Sequence, residues 1–279
     1  MSSVISAFHL ATPRGRRFCV VRGPGDATRP KGAIVHVPAF AEEMNKSRRM
    51  VALQCEALAR KGWLMVQFDA GGCGDSEGDF ADASWEAWLD DVRLVHRWAA
   101  DQVDGPVWLW GLRAGALLAC EAASRFDIQG PILLWQPVSR GRQHLQQFLR
   151  LVTMAKVVGK SGEPSRESPQ SRLAAGESVE VAGYVLNPSL AGGLASASLD
   201  VPAGAPRVLW LQVAAPDAPP PGALVELRER LGERSAVLEF RSVSGPAFWQ
   251  VQEIEDAPEL LAATTALVEE TAAAELASA

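Results

Sequence analysis

The stretch Trp108-Leu109-Trp110-Gly111-Leu112-Arg113-Ala114-Gly115 decides the reading of this chain. Pro106–Trp110 is an apolar run of strand length, Gly111–Gly115 reads as a tight turn, and Ala114–Arg125 as a helix of small residues. A strand, then G-x-[ ]-x-G, then a helix is the frame that holds one side chain at the top of a strand and at the positive end of the next helix. The glycines let the backbone turn sharply and let the helix approach the sheet. The residue displayed in such a frame is commonly a nucleophile. Here it is Arg113, and a guanidinium stays protonated at any working pH, so it cannot attack as a base or nucleophile.

A Gly-rich turn alone would be unremarkable, but the flanking sequence continues the pattern. Asp69–Asp79 carries four glycines and reads D-x-x-G-x-G-x-S-x-G through Gly78. It follows a buried strand at Trp63–Phe68 and precedes a long helix, Trp85–Gln102, that Ser84 can cap. Further strands are expected at Ser6–Thr12, Arg17–Arg22, Gly32–Val37, Pro131–Trp135, Arg207–Val213 and Ser235–Val243. Further helices are expected at Lys46–Lys61, ended by Gly62, at Ala223–Leu231 and at Ala257–Ala274. Buried strands alternating with amphipathic helices imply one α/β domain spanning 1–279, with a mainly parallel sheet of about eight strands, the first pair antiparallel, and helices on both faces. The rhythm breaks between Gln136 and Asp200. That stretch reads as an insertion, a cap or lid lying over the carboxyl edge of the strands. Arg140–Val158 is expected as one or two helices, Gly159–Pro169 as a mobile segment, and Glu177–Leu186 as a strand.

Bulk composition excludes several classes. The net charge is −6 over 279 residues, with both signs spread along the chain, which argues against a nucleic-acid footprint. No stretch is apolar for the length a membrane helix needs, and the start has no signal-peptide core. Cys19, Cys55, Cys73 and Cys120 show no metal-ligand spacing and read as reduced core thiols, as expected of a cytoplasmic protein. No metal or cofactor is expected.

The runs PAFAEEMNKSRRM (Pro38–Met50), GCGDSEGDF (Gly72–Phe80), LWGLRAGALLA (Leu109–Ala119), LLWQPVSRGRQHLQQFLRL (Leu133–Leu151), AAGESVEVAGY (Ala174–Tyr184) and GPAFWQ (Gly245–Gln250) resemble the bacterial family called exosortase A system-associated hydrolase 2. The resemblance covers nearly the whole chain. It implies an α/β-hydrolase fold and a setting near exosortase A and exopolysaccharide synthesis.

That fold performs acyl transfer with a nucleophile, an acid and a histidine in this chain order. The first slot holds Arg113. The second is filled by Asp217, or Asp217 is merely a loop residue among prolines. The third falls near Phe248, and no histidine follows His144. The acyl-transfer mechanism is therefore expected to be absent. Around the elbow, the pocket and oxyanion-loop candidates are Phe40, Glu42, Glu43, Asn45, Cys73, Leu112, Arg113, Ala114, His144 and Trp249. Arg113 is placed to meet Glu42 or Glu43. If paired, it plugs the old site; if free beside a helix N-terminus, it receives an anion. The cost of a buried unpaired arginine favours the pair.

Three functions stay open. One is a non-hydrolytic protein binding a small anionic or carbohydrate-related ligand, or a protein partner of the exosortase/exopolysaccharide system. Another is an active hydrolase with an unusual constellation drawn from Asp75, Cys73, His144 or a water activated by Glu43. The last is a structural interaction module that docks through its insertion.

Overall fold

A computed structural model describes residues 2–25, 29–157, 167–215, 218–232, 236–251 and 253–278. The chain begins with a hairpin, β1 (Ser3–Thr12) and β2 (Gly15–Pro24). Then follow β3 (Ala33–Val37), α1 (Glu42–Ala59), β4 (Leu64–Phe68), α2 (Trp85–Ala100), β5 (Val107–Leu112), α3 (Gly115–Arg125) and β6 (Ile132–Trp135). The insertion contributes α4 (Gly141–Val157), α5 (Pro169–Ala174), β7 (Val179–Val181), β8 (Tyr184–Leu186) and α6 (Pro188–Ser196). The sheet resumes with β9 (Arg207–Val213), then α7 (Gly222–Gly232), β10 (Val237–Val243) and α8 (Pro258–Ser278).

The main sheet has eight strands in the order β1-β2-β4-β3-β5-β6-β9-β10. β1 pairs antiparallel with β2, and β2 antiparallel with β4, while the remaining neighbours are parallel. The second antiparallel junction was not anticipated from the sequence. The strands β3, β5 and β6 are buried along their whole length, which is what solidly apolar runs mean in a sheet covered on both faces. One core layer carries side chains of α2, α3, α7 and the insertion, the other those of α1 and α8. The second layer is tryptophan-rich: Trp63 meets Trp108 edge-on at 5.0 Å, and Trp110 meets Trp135 at 4.6 Å.

Several boundaries differ from the sequence expectation. Helix α1 starts at Glu42, not Lys46, because the acidic pair Glu42-Glu43 occupies its first turn, where carboxylates meet the positive end of the helix. Glu177–Leu186 is not one strand but a hairpin. Ala182 and Gly183 both sit at positive φ, 51° and 87°, which makes a two-residue turn between β7 and β8. The one or two helices expected over Arg140–Val158 are a single helix, Gly141–Val157, within the described residues, and α5 and α6, each begun by a proline after a capping Ser168 or Asn187, were not foreseen. Most of Gly159–Pro169 lies outside the described residues. Ser84 does cap α2, accepting from the Ala87 amide.

Two histidines lie away from the elbow, His36 in the core and His96 half-buried on α2. His36 lies on β3 against Trp110, 4.5 Å between ring centroids, and burial pushes its pKa down to about 3. Burial lowers His96 as well. Both are neutral in the fold at pH 7, whereas an unfolded histidine takes up a proton near pH 6.5. The unfolded state therefore binds more protons as pH falls, and stability drops through the window from about 6.5 towards 3. His36 alone is expected to remove about 1.4 kcal/mol per pH unit in that window. Urea unfolding at pH 7, 6 and 5 should show this slope, and His36→Phe should flatten it by about that amount; an unchanged slope would assign the acid sensitivity elsewhere.

Candidate functional site

The sequence builds its unusual centre at the end of β5. Arg113 adopts φ +55°, a left-handed conformation that costs a non-glycine residue about 1 kcal/mol or more. The two flanking glycines permit it. A Cβ on Gly111 would lie 2.4 Å from the Ala116 Cα, and one on Gly115 2.3 Å from the Pro38 carbonyl oxygen. Neither position can carry a side chain without pushing α3 off the strand. The backbone is pinned as well: the Arg113 amide donates to the Trp135 carbonyl, and its carbonyl accepts from Ala116 and Val138.

The displayed guanidinium is fully engaged on one edge. Its Nη2 and Nε donate to Glu43 Oε1 at 3.0 and 3.2 Å, and Nε also reaches Oε2 at 3.3 Å. Nη1 donates to the Gln136 carbonyl at 3.3 Å. Its face lies against the Trp249 ring, 5.4 Å from the centroid. The Arg113 side chain is 12% exposed and that of Glu43 17%, so the pair is shielded from solvent without being sealed. A second group lies near Glu43: His144 Nε2 from α4 is 3.7 Å from Oε2. His144 is buried, and among the described residues neither ring nitrogen has a hydrogen-bond partner. Burial lowers its pKa, Glu43 opposes that, and Arg113 adds to it.

Of the two carboxylates offered by the sequence, Glu43 takes Arg113, and Glu42 turns to the insertion. The Tyr184 hydroxyl donates to Glu42 Oε2 at 3.3 Å, and Asn45 donates to the Tyr184 oxygen at 2.8 Å. Lys46 Nζ donates to the Gln250 carbonyl and ties α1 to the loop carrying Trp249. Two contributors escaped the sequence reading. Gln136 sits at φ +43° as the first residue after β6, and its side chain accepts from the Val213 amide. A polar residue directly after the strand beside the elbow was the available signal. Tyr184 is the chain's only tyrosine.

The other candidates fall into place around this centre. Phe40 is buried and meets Phe80, Trp88, His144 and Phe148 edge-on. Together with Cys73 and Ala114 it lines a narrow cavity with about 20 Å³ open to a water-sized sphere. Leu112 is buried at the end of β5, in the layer facing α1. Phe248 is not the ring that meets the elbow. It is buried against Trp135 and Trp249, and Trp249, itself one of the pocket candidates, is the neighbour of Arg113. Asp217 lies outside the described residues. Asp75 is exposed on the Gly-rich loop near His9, and Ser76 is buried with its hydroxyl bonded to the Asp69 carbonyl and the Phe18 amide. Among the described residues, no cluster of three or more His, Cys, Asp or Glu could hold a metal, and no helix is long and apolar enough to cross a membrane.

Comparison with known proteins fits this frame. The sequence profile described as serine aminopeptidase, S33, matches residues 28–185, more than half of the chain. The chain belongs to that family. Its fold is the α/β-hydrolase fold, a mostly parallel sheet between helices. Among solved structures, the chain is similar to Est1E from Butyrivibrio proteoclasticus bound to ferulic acid, with a TM-score of 0.66, 18% identity, and coverage of 97% of this chain and 100% of that one. It is also similar to a thermostable carboxyl esterase from Bacillus coagulans in complex with glycerol, at TM-score 0.61, 13% identity, and 98% and 99% coverage. XC6422 from Xanthomonas campestris, a serine hydrolase without lid, gives 0.56, 16%, and 95% and 92%. At these identities the likeness concerns the fold alone. No curated protein matches the sequence.

Within this S33-family chain Cys73 lines the same cavity as Ala114 and Gly115 of the elbow, and burial pushes its pKa up to about 12. A thiol held protonated does not attack. Iodoacetamide at pH 8 should therefore leave native Cys73 unmodified and alkylate it only after unfolding. Rapid alkylation in the native protein would restore it as a nucleophile.

Proposed function

We propose that this S33-family protein has given up acyl transfer at its elbow and uses the same place to bind a small, neutral, hydroxyl-bearing ligand of carbohydrate type. The observation that carries the reading is the Arg113–Glu43 pair where a nucleophile would stand. A protonated guanidinium cannot open an ester, and the chain has no histidine after His144 to act as base from the usual position. The pair also bears on ligand charge. An anion would have to displace Glu43 from Arg113, whereas a hydroxyl can donate to Glu43 or to the unpartnered His144 and accept from an Arg113 N–H left free by the pair. Trp249 adds an aromatic wall. The insertion, 136–200, supplies His144 and Tyr184 and acts in this reading as the cap over the ligand. The family resemblance read from the sequence sets the ligand or a protein partner in exosortase A-linked exopolysaccharide work, in the cytoplasm.

Two measurements test this. A fluorophosphonate probe, which labels activated serines, should leave the purified protein unmodified, and stoichiometric labelling of any serine would overturn the loss of acyl transfer. Saturation-transfer NMR should detect cellobiose, with weaker transfer to glucuronic acid, and the cellobiose signal should vanish in His144→Ala. No transfer to either sugar, or transfer to the uronate alone, would contradict the ligand class. Ester turnover lost on His144→Ala or Glu43→Gln would instead mark an active hydrolase with a non-standard constellation.

A further inference from the structure

The two ends of the main sheet are built in opposite ways. β10, at one end, has the sequence VLEFRSV, and its Glu239 and Arg241 put charge on that edge. Such charges prevent an edge strand from recruiting another chain. β1, at the other end, reads SVISAFHLAT over ten residues, with no Asp, Glu, Lys or Arg and no proline. Its ladder with β2 runs unbroken from Ser3↔Pro24 to Thr12↔Gly15, so no bulge twists the edge away. Among the described residues its backbone pairs with β2 alone, which leaves an outer row of unpaired amides and carbonyls about 34 Å long. Val4 and Ile5 are 57% and 61% exposed, the most exposed large apolar side chains of the sheet.

We propose that β1 is the interface of a two-fold dimer, in which β1 pairs antiparallel with β1 of a second copy and joins the two sheets into one of sixteen strands. An antiparallel pair is self-complementary, so a strand can serve as its own partner provided that nothing in it repels itself. β1 meets that condition because it has no charge to set against its own copy. When residue numbers across the interface sum to 14, Ala7 faces Ala7, Val4 faces Leu10 and Ile5 faces His9 of the second copy. An even sum keeps each face of one sheet continuous with the same face of the other. In this register Val4, on the side where Phe8 packs against Trp98 of α2, gains an apolar neighbour in Leu10. Ala7 on the axis is exposed and small, so two copies can approach closely. The uncharged, self-complementary edge therefore fits a second copy.

The test uses the full chain. Sedimentation equilibrium should give twice the 29.9 kDa chain mass, and Ala7→Lys, which sets like charges across the axis, should give the single-chain mass with an unchanged far-UV circular dichroism spectrum. A short bismaleimide should join Ala7→Cys into a covalent dimer and leave Val237→Cys, on the exposed start of β10, as single chains. The four native cysteines are buried and do not compete. A single-chain mass for the wild type at 100 μM would overturn the proposal. So would a dimer that persists in Ala7→Lys without the Ala7→Cys crosslink, since its interface would lie elsewhere, or a chain that pairs its β1 only with an added foreign peptide.

Discussion

A cation at a helix N-terminus has the helix dipole against it, and Arg113 stands just before Ala114, the N-cap of α3. Its left-handed backbone aims the guanidinium out over the sheet edge, where it is 12% exposed. Such a placement holds only with a carboxylate in reach. Glu43 provides it from the first turn of α1, where the dipole of a second helix favours a negative charge. The ion pair thus joins two helix N-termini of which one needs compensation and the other supplies it. The glycines at 111 and 115, the Pro38 carbonyl above Gly115 and the strained φ of Arg113 make sense as the local cost of this junction.

The same turn organises the insertion. Glu43 reaches His144 on α4, and Glu42, its neighbour in sequence, reaches Tyr184 on β8. Adjacent residues at a helix start point in different directions, so one acidic dipeptide contacts the elbow, the cap helix and the hairpin. Phe40, just before it, joins an aromatic cluster with Phe80, Trp88 and Phe148, which anchors the insertion to the α2 layer. Buried polar groups usually find partners, and among the described residues both ring nitrogens of His144 lack one beside this ion pair.

Much of the fold was legible because its signals are local. Apolar runs such as Pro131–Trp135 can only be buried strands, Ser84 announces α2, and G-x-R-x-G announces the elbow by steric need alone. The insertion was less legible. Ala182-Gly183 makes a turn through positive φ at an alanine, which no propensity indicates, and α5 and α6 are six and nine residues long, too short for a clear helical period. At the site, the sequence offered Glu42 and Glu43 equally as partners of Arg113, and only the start of α1 four residues earlier than expected separates them. Trp249 was among the pocket candidates, but which ring of Phe248 and Trp249 meets Arg113 could not be read, because the loop after β10 has no periodic pattern to set its phase. Gln136 was passed over as a strand boundary, although its carbonyl is the second acceptor of Arg113.

The central claim is that Arg113 and Glu43 act as one unit, and a double-mutant cycle measures that directly. Arg113→Met, Glu43→Gln and the double variant are unfolded in urea at pH 7. Each single change should cost about 3 kcal/mol, because each strands a shielded partner, while the double change should cost little more than either, a coupling of about 2 kcal/mol or more. Additive losses, with a coupling below about 0.5 kcal/mol, would show that the two residues are independent and that the elbow is not held closed by this pair.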